Sequence, residues 1–161
     1  MRRDRLKKIF GVGPLGAVIS FGLLAVAAGI DRFLGFEAIT RHTAAVHLIG
    51  GLLIAMGLGL HGWSFLTLRA WWGQSRLCTQ GPFRYLRHPM YAAWISLVAP
   101  GTVLILNHFI YWVWLLGLHV IWHALVRREE ATMYHLFGET YRTYASRTGR
   151  FLPRWPHRTE D

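Results

Sequence analysis

The chain has 161 residues, of which 53% are hydrophobic and only 16% are charged. This composition excludes a disordered protein, and with a mean hydropathy of +0.27 it argues against an ordinary soluble domain. Eighteen Lys and Arg residues against eight Asp and Glu residues give a net charge of +10, which fits anionic lipid better than nucleic acid. The sequence therefore predicts a membrane protein.

Four uncharged apolar runs have about the length, near 20 residues, that a helix needs to cross the hydrocarbon core. They cover residues 10–30, 43–68, 90–106 and 109–126. We expect an all-α integral membrane protein with one membrane domain over 1–161, a tight hairpin between the last two spans, and an amphipathic helical tail over 127–161. The single cysteine, Cys78, excludes an intramolecular disulfide, so stability must come from helix packing.

Small residues and one proline mark special positions within these spans. The second span contains five glycines, which let neighbouring helices approach closely: Gly50, Gly51, Gly57, Gly59 and Gly62. In the third span, Pro100 followed by Gly101 predicts a bend, because proline removes a backbone donor and crowds the preceding turn.

The basic residues predict the orientation. Sixteen of the eighteen lie in the N-terminal segment, in the connection between the second and third spans, and in the tail, whereas Arg32 and Arg41 lie in the connection between the first two spans. The positive-inside bias therefore places both termini in the cytoplasm. The basic segment 1–8 is expected to flank a retained first span, since the apolar run is too long for a signal peptide.

Polar chemistry collects first at residues 81–91, where the third span begins. Pro89 suits the first turn of a helix, which puts His88 at the cap. Free N–H groups there, with Arg84 and Arg87 nearby, favour an anionic group. The alternative is that the arginines bind lipid headgroups and the tyrosines belong to an interfacial belt.

A second polar cluster follows the fourth span, at Glu129 and Glu130. Adjacent carboxylates point about 100° apart on a helix, so at most one faces the bundle squarely. Beyond them, aromatic residues recur at steps of three and four: Tyr134, Phe137, Tyr141 and Tyr144. This amphipathic stripe predicts two short helices, divided at Gly138, that lie over the mouth of the bundle.

With these residues in place, the chain resembles the isoprenylcysteine carboxyl methyltransferase and phospholipid methyltransferase group of integral membrane methyltransferases. The resemblance extends from about Gly50 to Pro153. It is carried by residues 81–91, by Arg128-Glu129-Glu130, and by residues 137–144 and 150–153. It implies methyl transfer from S-adenosylmethionine, at the membrane, to a lipophilic or small acceptor such as an isoprenylcysteine carboxylate or a lipid amine. Membrane lipids are the implied surroundings, and no metal, nucleic acid or protein partner is implied.

The resemblance and the chemistry of the side chains assign the site residues. Catalytic roles are expected of Arg87, His88 and Glu129. Cofactor binding is expected of Arg84, His88, Pro89, Tyr91, Glu130, Tyr141, Tyr144, Gly57 and Gly59. An acidic side chain can bind the ammonium or ribose hydroxyls of the cofactor, a cationic group its carboxylate, and tyrosine faces its sulfonium. An amine acceptor would need a base, for which Glu129 and His88 are alternatives.

Two other classes of function are consistent with parts of the sequence. His47 and His61 lie fourteen residues apart on the second span, which puts them on nearly one face about 21 Å apart, as for two stacked haem groups. His119 and His123 on the fourth span share a face as well. A membrane cytochrome is therefore one alternative, and a noncatalytic lipid-binding protein is another.

Overall fold

The computed structural model describes residues 11–154 with the exception of 73 and 75. Four helices form its framework: α1 (Gly13–Leu34), α2 (Thr43–Ala70), α3 (Pro89–Leu106) and α4 (Phe109–Arg147). Each is long and apolar enough to cross a membrane, and the described residues contain no β-strand. The predicted all-α integral membrane fold is confirmed. The basic segment 1–8 and the last residues of the tail lie outside the described residues.

The third helix, α3, changes its winding partway along. It begins as an α-helix over Pro89–Ala93, passes through a π-helical segment at Trp94–Val98, and continues as an α-helix over Ala99–Leu106. The sequence predicts a bend at Pro100, and the structure places the irregular segment just before it. Since proline has no N–H to donate to the preceding turn, the wider π turn falls where the helical bond is missing.

The fourth helix, α4, continues well beyond the predicted end of its span at residue 126. It reaches Phe137 before Gly138 interrupts it, with φ 53° and ψ −125°. The predicted break at Gly138 is confirmed, but the prediction of two short helices is wrong for the first of them, because Tyr134 and Phe137 belong to α4 itself. Residues 139–147, the part of α4 that follows Gly138, form the tail helix.

Small residues bring α2 and α3 into close contact. A Cβ atom on Gly50 would lie 2.7 Å from the Gly101 carbonyl oxygen, and one on Gly57 would lie 2.6 Å from Val98 Cγ2. These two glycines therefore allow the approach that the sequence predicts. By contrast, Cβ positions on Gly51, Gly59 and Gly62 meet nothing within 4 Å.

A buried polar seam joins α1 to α4. The indole N–H of Trp122 donates to Ser20 Oγ at 3.0 Å, and that of Trp114 donates to the Ser20 carbonyl oxygen at 3.1 Å. Ser20 is fully buried, and a Cβ atom on Gly16 would lie 2.5 Å from the Trp122 ring. The seam gives both indole donors a partner where water has no access.

The tight hairpin between α3 and α4 closes one end of the bundle, which we call the hairpin end. Asn107 adopts a left-handed conformation there, with φ 54°, and its amide donates to the Thr40 carbonyl oxygen at 2.7 Å. The next residue, His108, places Nδ1 2.8 Å from Asp31, which also accepts a hydrogen bond from the Tyr111 hydroxyl at 2.9 Å. These contacts tie α1 and the first connection to the hairpin.

Candidate functional site

Five residues meet where α3 begins and α4 leaves its apolar segment: Arg87, His88, Glu129, Glu130 and Arg150. We call them the Glu130 cluster. Arg87 Nε donates to Glu130 Oε1 at 2.8 Å, and Arg150 Nη2 donates to Glu130 Oε2. The Glu130 side chain is only 8% exposed, so its carboxylate is buried between two guanidinium groups.

The tail folds back to build this cluster. After the break at Gly138, the chain passes residues 139–147 and then runs beside the segment that precedes α3. The Arg87 backbone N–H donates to the Gly149 carbonyl oxygen at 2.8 Å, and the Gly149 N–H donates to the Tyr85 carbonyl oxygen at 3.3 Å. Arg87 also reaches the tail through its side chain, since Nη1 donates to the Ala145 carbonyl oxygen at 2.8 Å. This pairing is what carries Arg150 to Glu130.

His88 occupies the centre of the cluster as the N-cap of α3, in the position that the sequence predicts. Its ring stacks on Tyr91 with centroids 5.6 Å apart. Nε2 lies 3.5 Å from Glu130 Oε1, and Nδ1 lies 3.9 Å from Glu129 Oε1. The imidazole is therefore placed between the two carboxylates.

Glu129 faces the start of α1. Its Oε2 accepts hydrogen bonds from the Tyr91 hydroxyl at 3.1 Å and from the Val12 backbone N–H at 3.2 Å. Gly11 has a positive φ of 51°, and a Cβ atom there would come within 2.7 Å of the Glu129 carboxylate. The backbone just before α1 thus binds Glu129 Oε2, and Glu129 Oε1 faces His88.

The Glu130 cluster lies beyond the apolar part of α4, and neighbouring groups there shift the pKa values of Glu130 and Tyr141. Burial by itself raises the pKa of Glu130, but interactions with His88, Arg150 and Arg87 outweigh it and hold the pKa well below the ordinary value of 4.5. Burial and the charge of Glu130 raise the pKa of Tyr141, so its hydroxyl remains a donor. The two guanidinium groups of the cluster are balanced by the carboxylates of Glu130 and Glu129.

Several buried polar atoms here have no hydrogen-bond partner among the described residues. They are His88 Nε2, the Tyr141 hydroxyl and Arg150 Nε, and Trp94 Nε1 on α3 is a fourth. Buried polar groups in folded proteins are nearly always bonded, so unpartnered atoms at one place indicate capacity for a ligand. Tyr141 is only 1% exposed, which leaves water few routes to it.

Arg84 and Tyr144 lie on the outer side of the tail helix. The Tyr144 hydroxyl donates to the Phe83 carbonyl oxygen at 2.7 Å, which fastens the tail to the 3₁₀ turn over Gly81–Arg84. Arg84 and Tyr144 both line an open groove of about 780 Å³, together with Glu139. This volume is within the range of small-molecule sites.

The structure does not bring every predicted residue to the Glu130 cluster. Pro89 is buried at the first position of α3, directly after His88. Gly57 packs against α3 instead, where an added Cβ atom would lie 3.0 Å from the Ala93 carbonyl oxygen. A Cβ atom added at Gly59 would meet nothing within 4 Å.

The four histidines of the haem alternative lie on two helices, His47 and His61 on α2 and His119 and His123 on α4. His47 Nε2 lies 3.2 Å from the Ile105 carbonyl oxygen, near the hairpin end of α3. His119 and His123 are neighbours on α4, with ring centroids 6.5 Å apart.

Sequence reasoning missed two contributors. Arg150 stands in the matched segment 150–153 but had no role, because nothing local predicts that the tail returns to Glu130. The backbone of Gly11 and Val12 was missed because a backbone N–H leaves no mark in the residue types. The one sequence signal for Arg150 is its place in the segment 150–153, which takes part in the family resemblance.

Comparison with known proteins agrees with this geometry. A family model described as phospholipid methyltransferase matches residues 45–140, which is more than half of the chain. The matched stretch contains all of α2 but its first two residues, all of α3, and four residues of the Glu130 cluster, and it ends just after Gly138. A search of curated proteins finds no match. Because the matched segment covers more than half of the chain and includes four of the five residues that meet around Glu130, we conclude that the chain belongs to the phospholipid methyltransferase family.

Proposed function

We propose that this protein is an S-adenosylmethionine-dependent methyltransferase that acts within the membrane on a lipophilic or small acceptor, such as an isoprenylcysteine carboxylate or a lipid amine. Family membership supports the reaction class. The observation that supports the position of the cofactor site is the burial of Glu130 between Arg87 and Arg150, with unpartnered donors beside it. Membrane spans and the family support an integral membrane location.

The residues present fit the cofactor. Its carboxylate and ribose hydroxyls need donors and acceptors, which Arg150 Nε and the Tyr141 hydroxyl can supply. Its ammonium needs an acceptor, and Glu129 Oε1 is available because Glu129 bonds to Tyr91 and Val12 through Oε2. Bound S-adenosylmethionine supplies an electrophilic methyl group on a sulfonium.

Arg87 fits a positioning role better than a direct one. Its Nε is committed to Glu130, and its Nη1 is committed to the carbonyl oxygens of Ala145 and Thr148. We propose that Arg87 holds the tail over the cluster, so that Glu130, His88 and Arg150 keep one geometry. Methyl transfer depends on the alignment of the acceptor with the methyl group, and a fixed arrangement of these side chains supplies that alignment.

The aromatic side chains around the cluster exclude water, and two of its polar side chains can accept a proton. Tyr91 packs on Trp122 with centroids 4.8 Å apart, and Phe151 packs near His88 at 6.3 Å. A dry pocket favours the combination of an anionic acceptor with a cationic sulfonium, because charge is neutralised on the way to the transition state. For an amine acceptor, Glu129 or His88 accepts the proton.

We propose that the Glu130 cluster and both termini lie on the cytoplasmic side. In the described part of the chain, basic residues gather at the end of the bundle that carries the cluster, whereas Arg32 and Arg41 lie at the hairpin end. The positive-inside bias supports this orientation. Because Cys78 is buried, the test uses Tyr85→Cys, which places a cysteine at an exposed position near the cluster. An impermeant reagent should label it only after the cells are permeabilised, and labelling in intact cells would overturn the orientation.

The proposed cofactor site is tested by calorimetric binding of S-adenosylhomocysteine to the purified protein in detergent. Replacing Tyr141 with Phe removes one buried donor, and we expect binding about tenfold weaker. Tyr85→Phe is the matched control, since the Tyr85 ring is 57% exposed, and it should bind as the wild type does. Absence of binding, or equal loss in both variants, would overturn the site.

The reaction itself is tested by incubating membranes that contain the protein with a radiolabelled methyl donor. We expect label in the protein, lipid or volatile fraction, and the fraction identifies the acceptor class. A protein that shows a Soret band and transfers no label would contradict the proposal and favour the cytochrome alternative.

A further inference from the structure

His123 is an ionisable residue inside the fourth apolar run, and the proposed function gives it no role. The run covers residues 109–126, and His123 is exposed on its surface. A polar side chain among acyl chains costs free energy, so a residue of this kind generally has a polar partner. The partner here is Arg150 of the Glu130 cluster, whose Nη1 lies 3.5 Å from His123 Nδ1.

His123 contacts two consecutive residues of the returning tail. Besides its contact with Arg150, its ring packs edge to face on Phe151, with centroids 4.8 Å apart. His123 and Glu130 lie seven residues apart, which puts them on one face of α4. Because helical side chains point toward the N-terminal end of their helix, the Glu130 carboxylate reaches back toward His123. One guanidinium group can therefore contact both side chains.

The contact with Arg150 defines what the imidazole does. A guanidinium group has only donors, so His123 Nδ1 must be the acceptor, and the proton of the neutral ring then lies on Nε2. The side-chain oxygen of asparagine can take the place of Nδ1 and accept the same hydrogen bond. Phenylalanine keeps a ring against Phe151 but offers no acceptor, so the two functions of His123 can be separated by substitution.

Arg150 is held by fewer contacts than Arg87. Arg87 is bound at Nε by Glu130 and at Nη1 by two carbonyl oxygens of the tail. Arg150 Nη2 donates to Glu130, whereas its Nε is buried and has no hydrogen-bond partner among the described residues. One hydrogen bond lets a planar guanidinium group turn about it, and a second contact at another nitrogen fixes the plane. His123 supplies that second contact.

We propose that His123 is a positioning residue for cofactor binding, which orients Arg150 so that the free Nε–H binds the carboxylate of the cofactor. This role rests on the proposed function, since it assigns one group of the cluster to one part of S-adenosylmethionine. Charge-assisted hydrogen bonds to a carboxylate depend on the direction of the donor. A guanidinium group that turns away therefore loses most of the bond, although its charge remains nearby.

The role is tested by calorimetric binding of two ligands to the purified protein in detergent. S-adenosylhomocysteine carries the carboxylate, whereas methylthioadenosine has the same nucleoside and thioether without the amino-acid group. His123→Phe should weaken binding of S-adenosylhomocysteine about tenfold and change binding of methylthioadenosine by less than about twofold. A purely structural effect of the substitution would weaken both ligands alike.

Two further variants serve as a rescue and a matched control. His123→Asn retains the acceptor for Arg150 and should bind S-adenosylhomocysteine within about threefold of the wild type. His119→Phe is the same substitution one turn earlier on the same face, where the ring centroid lies 6.5 Å from that of His123. This control should bind both ligands as the wild type does.

A double substitution shows whether His123 acts through Arg150. In an Arg150→Ala background, His123→Phe should cause no further loss of S-adenosylhomocysteine binding, because the group that it orients is absent. A further tenfold loss would overturn the role. The comparison of the two ligands uses no Arg150 variant, so it decides the question even if Arg150→Ala does not fold.

The outcomes distinguish this role from the proposed function. If the wild type binds S-adenosylhomocysteine and His123→Phe binds it equally well, or loses both ligands alike, the positioning role is overturned and the proposed function stands. The same conclusion follows if His119→Phe loses as much binding as His123→Phe. If the wild type binds neither ligand, the proposed function is overturned, and the positioning role with it.

Discussion

Replacing Glu130 with Gln tests the structural claim on which the site depends. The substitution keeps the shape of the side chain but removes the charge between two guanidinium groups. Arg87 and Glu130 are 12% and 8% exposed, so the pair is buried, and breaking such a pair costs about 3 to 5 kcal/mol. For a chain of this size, we expect the melting temperature to fall on the order of 10 °C.

The measurement is thermal unfolding in nanodiscs, followed by intrinsic tryptophan fluorescence. Glu139→Gln is the matched control, because Glu139 and Arg142 are 75% and 73% exposed and form an ion pair of 3.4 Å on the tail helix. Exposed pairs contribute little, so this variant should melt with the wild type. If the two variants shifted equally, or if Glu130→Gln had no effect, the buried pair would not hold the tail and the reasoning would be refuted.

Two further results are expected. Gly57→Ala places a Cβ atom 3.0 Å from the Ala93 carbonyl oxygen and should destabilise the bundle by about 1 to 3 kcal/mol. The Cβ atom of Gly59→Ala meets nothing within 4 Å, so this control variant should be as stable as the wild type. Chemical unfolding in detergent measures both free energies, and equal effects would contradict the packing. Because the pKa of Glu130 is lowered in the folded state, its contribution to stability is complete above pH 4.5 and is lost as the pH falls further. The free energy of unfolding should therefore differ more between about pH 3 and pH 7 in the wild type than in Glu130→Gln. An equal pH dependence in the two proteins would contradict this assignment.

Much of the membrane fold could be predicted because hydropathy and length are local properties. A bilayer leaves helices as the practical way to satisfy the backbone of an apolar run, so each run becomes a helix independently of the others. The hairpin at Asn107 and His108 and the break at Gly138 were likewise predicted from local sequence. The helix ends were not, since α4 continues past residue 126 to Phe137, where polar and aromatic residues allow a helix as well as a loop.

The site was predicted in part for the same reason. His88 at the cap follows from Pro89 beside it, and the proximity of Arg87 and Glu130 follows from the shared membrane surface at the start of α3 and the end of the fourth apolar run. Gly57 and Gly59 illustrate the limit, because a Gly-x-Gly pattern does not say which face of the helix meets a neighbour. The structure puts only Gly57 at the contact with α3.

The sequence by itself determined that this protein is an α-helical membrane protein with polar chemistry gathered at one surface, because composition, run length and charge bias act residue by residue. Only the tertiary structure decided that Arg150 returns from the tail to share Glu130 with Arg87, and that the backbone at Val12 reaches Glu129. The first contact joins residues that are 20 positions apart in the sequence, and the second joins residues that are 117 positions apart. The packing of the helices and the turn of the chain at Gly138 select these partners, and no local pattern encodes either of them.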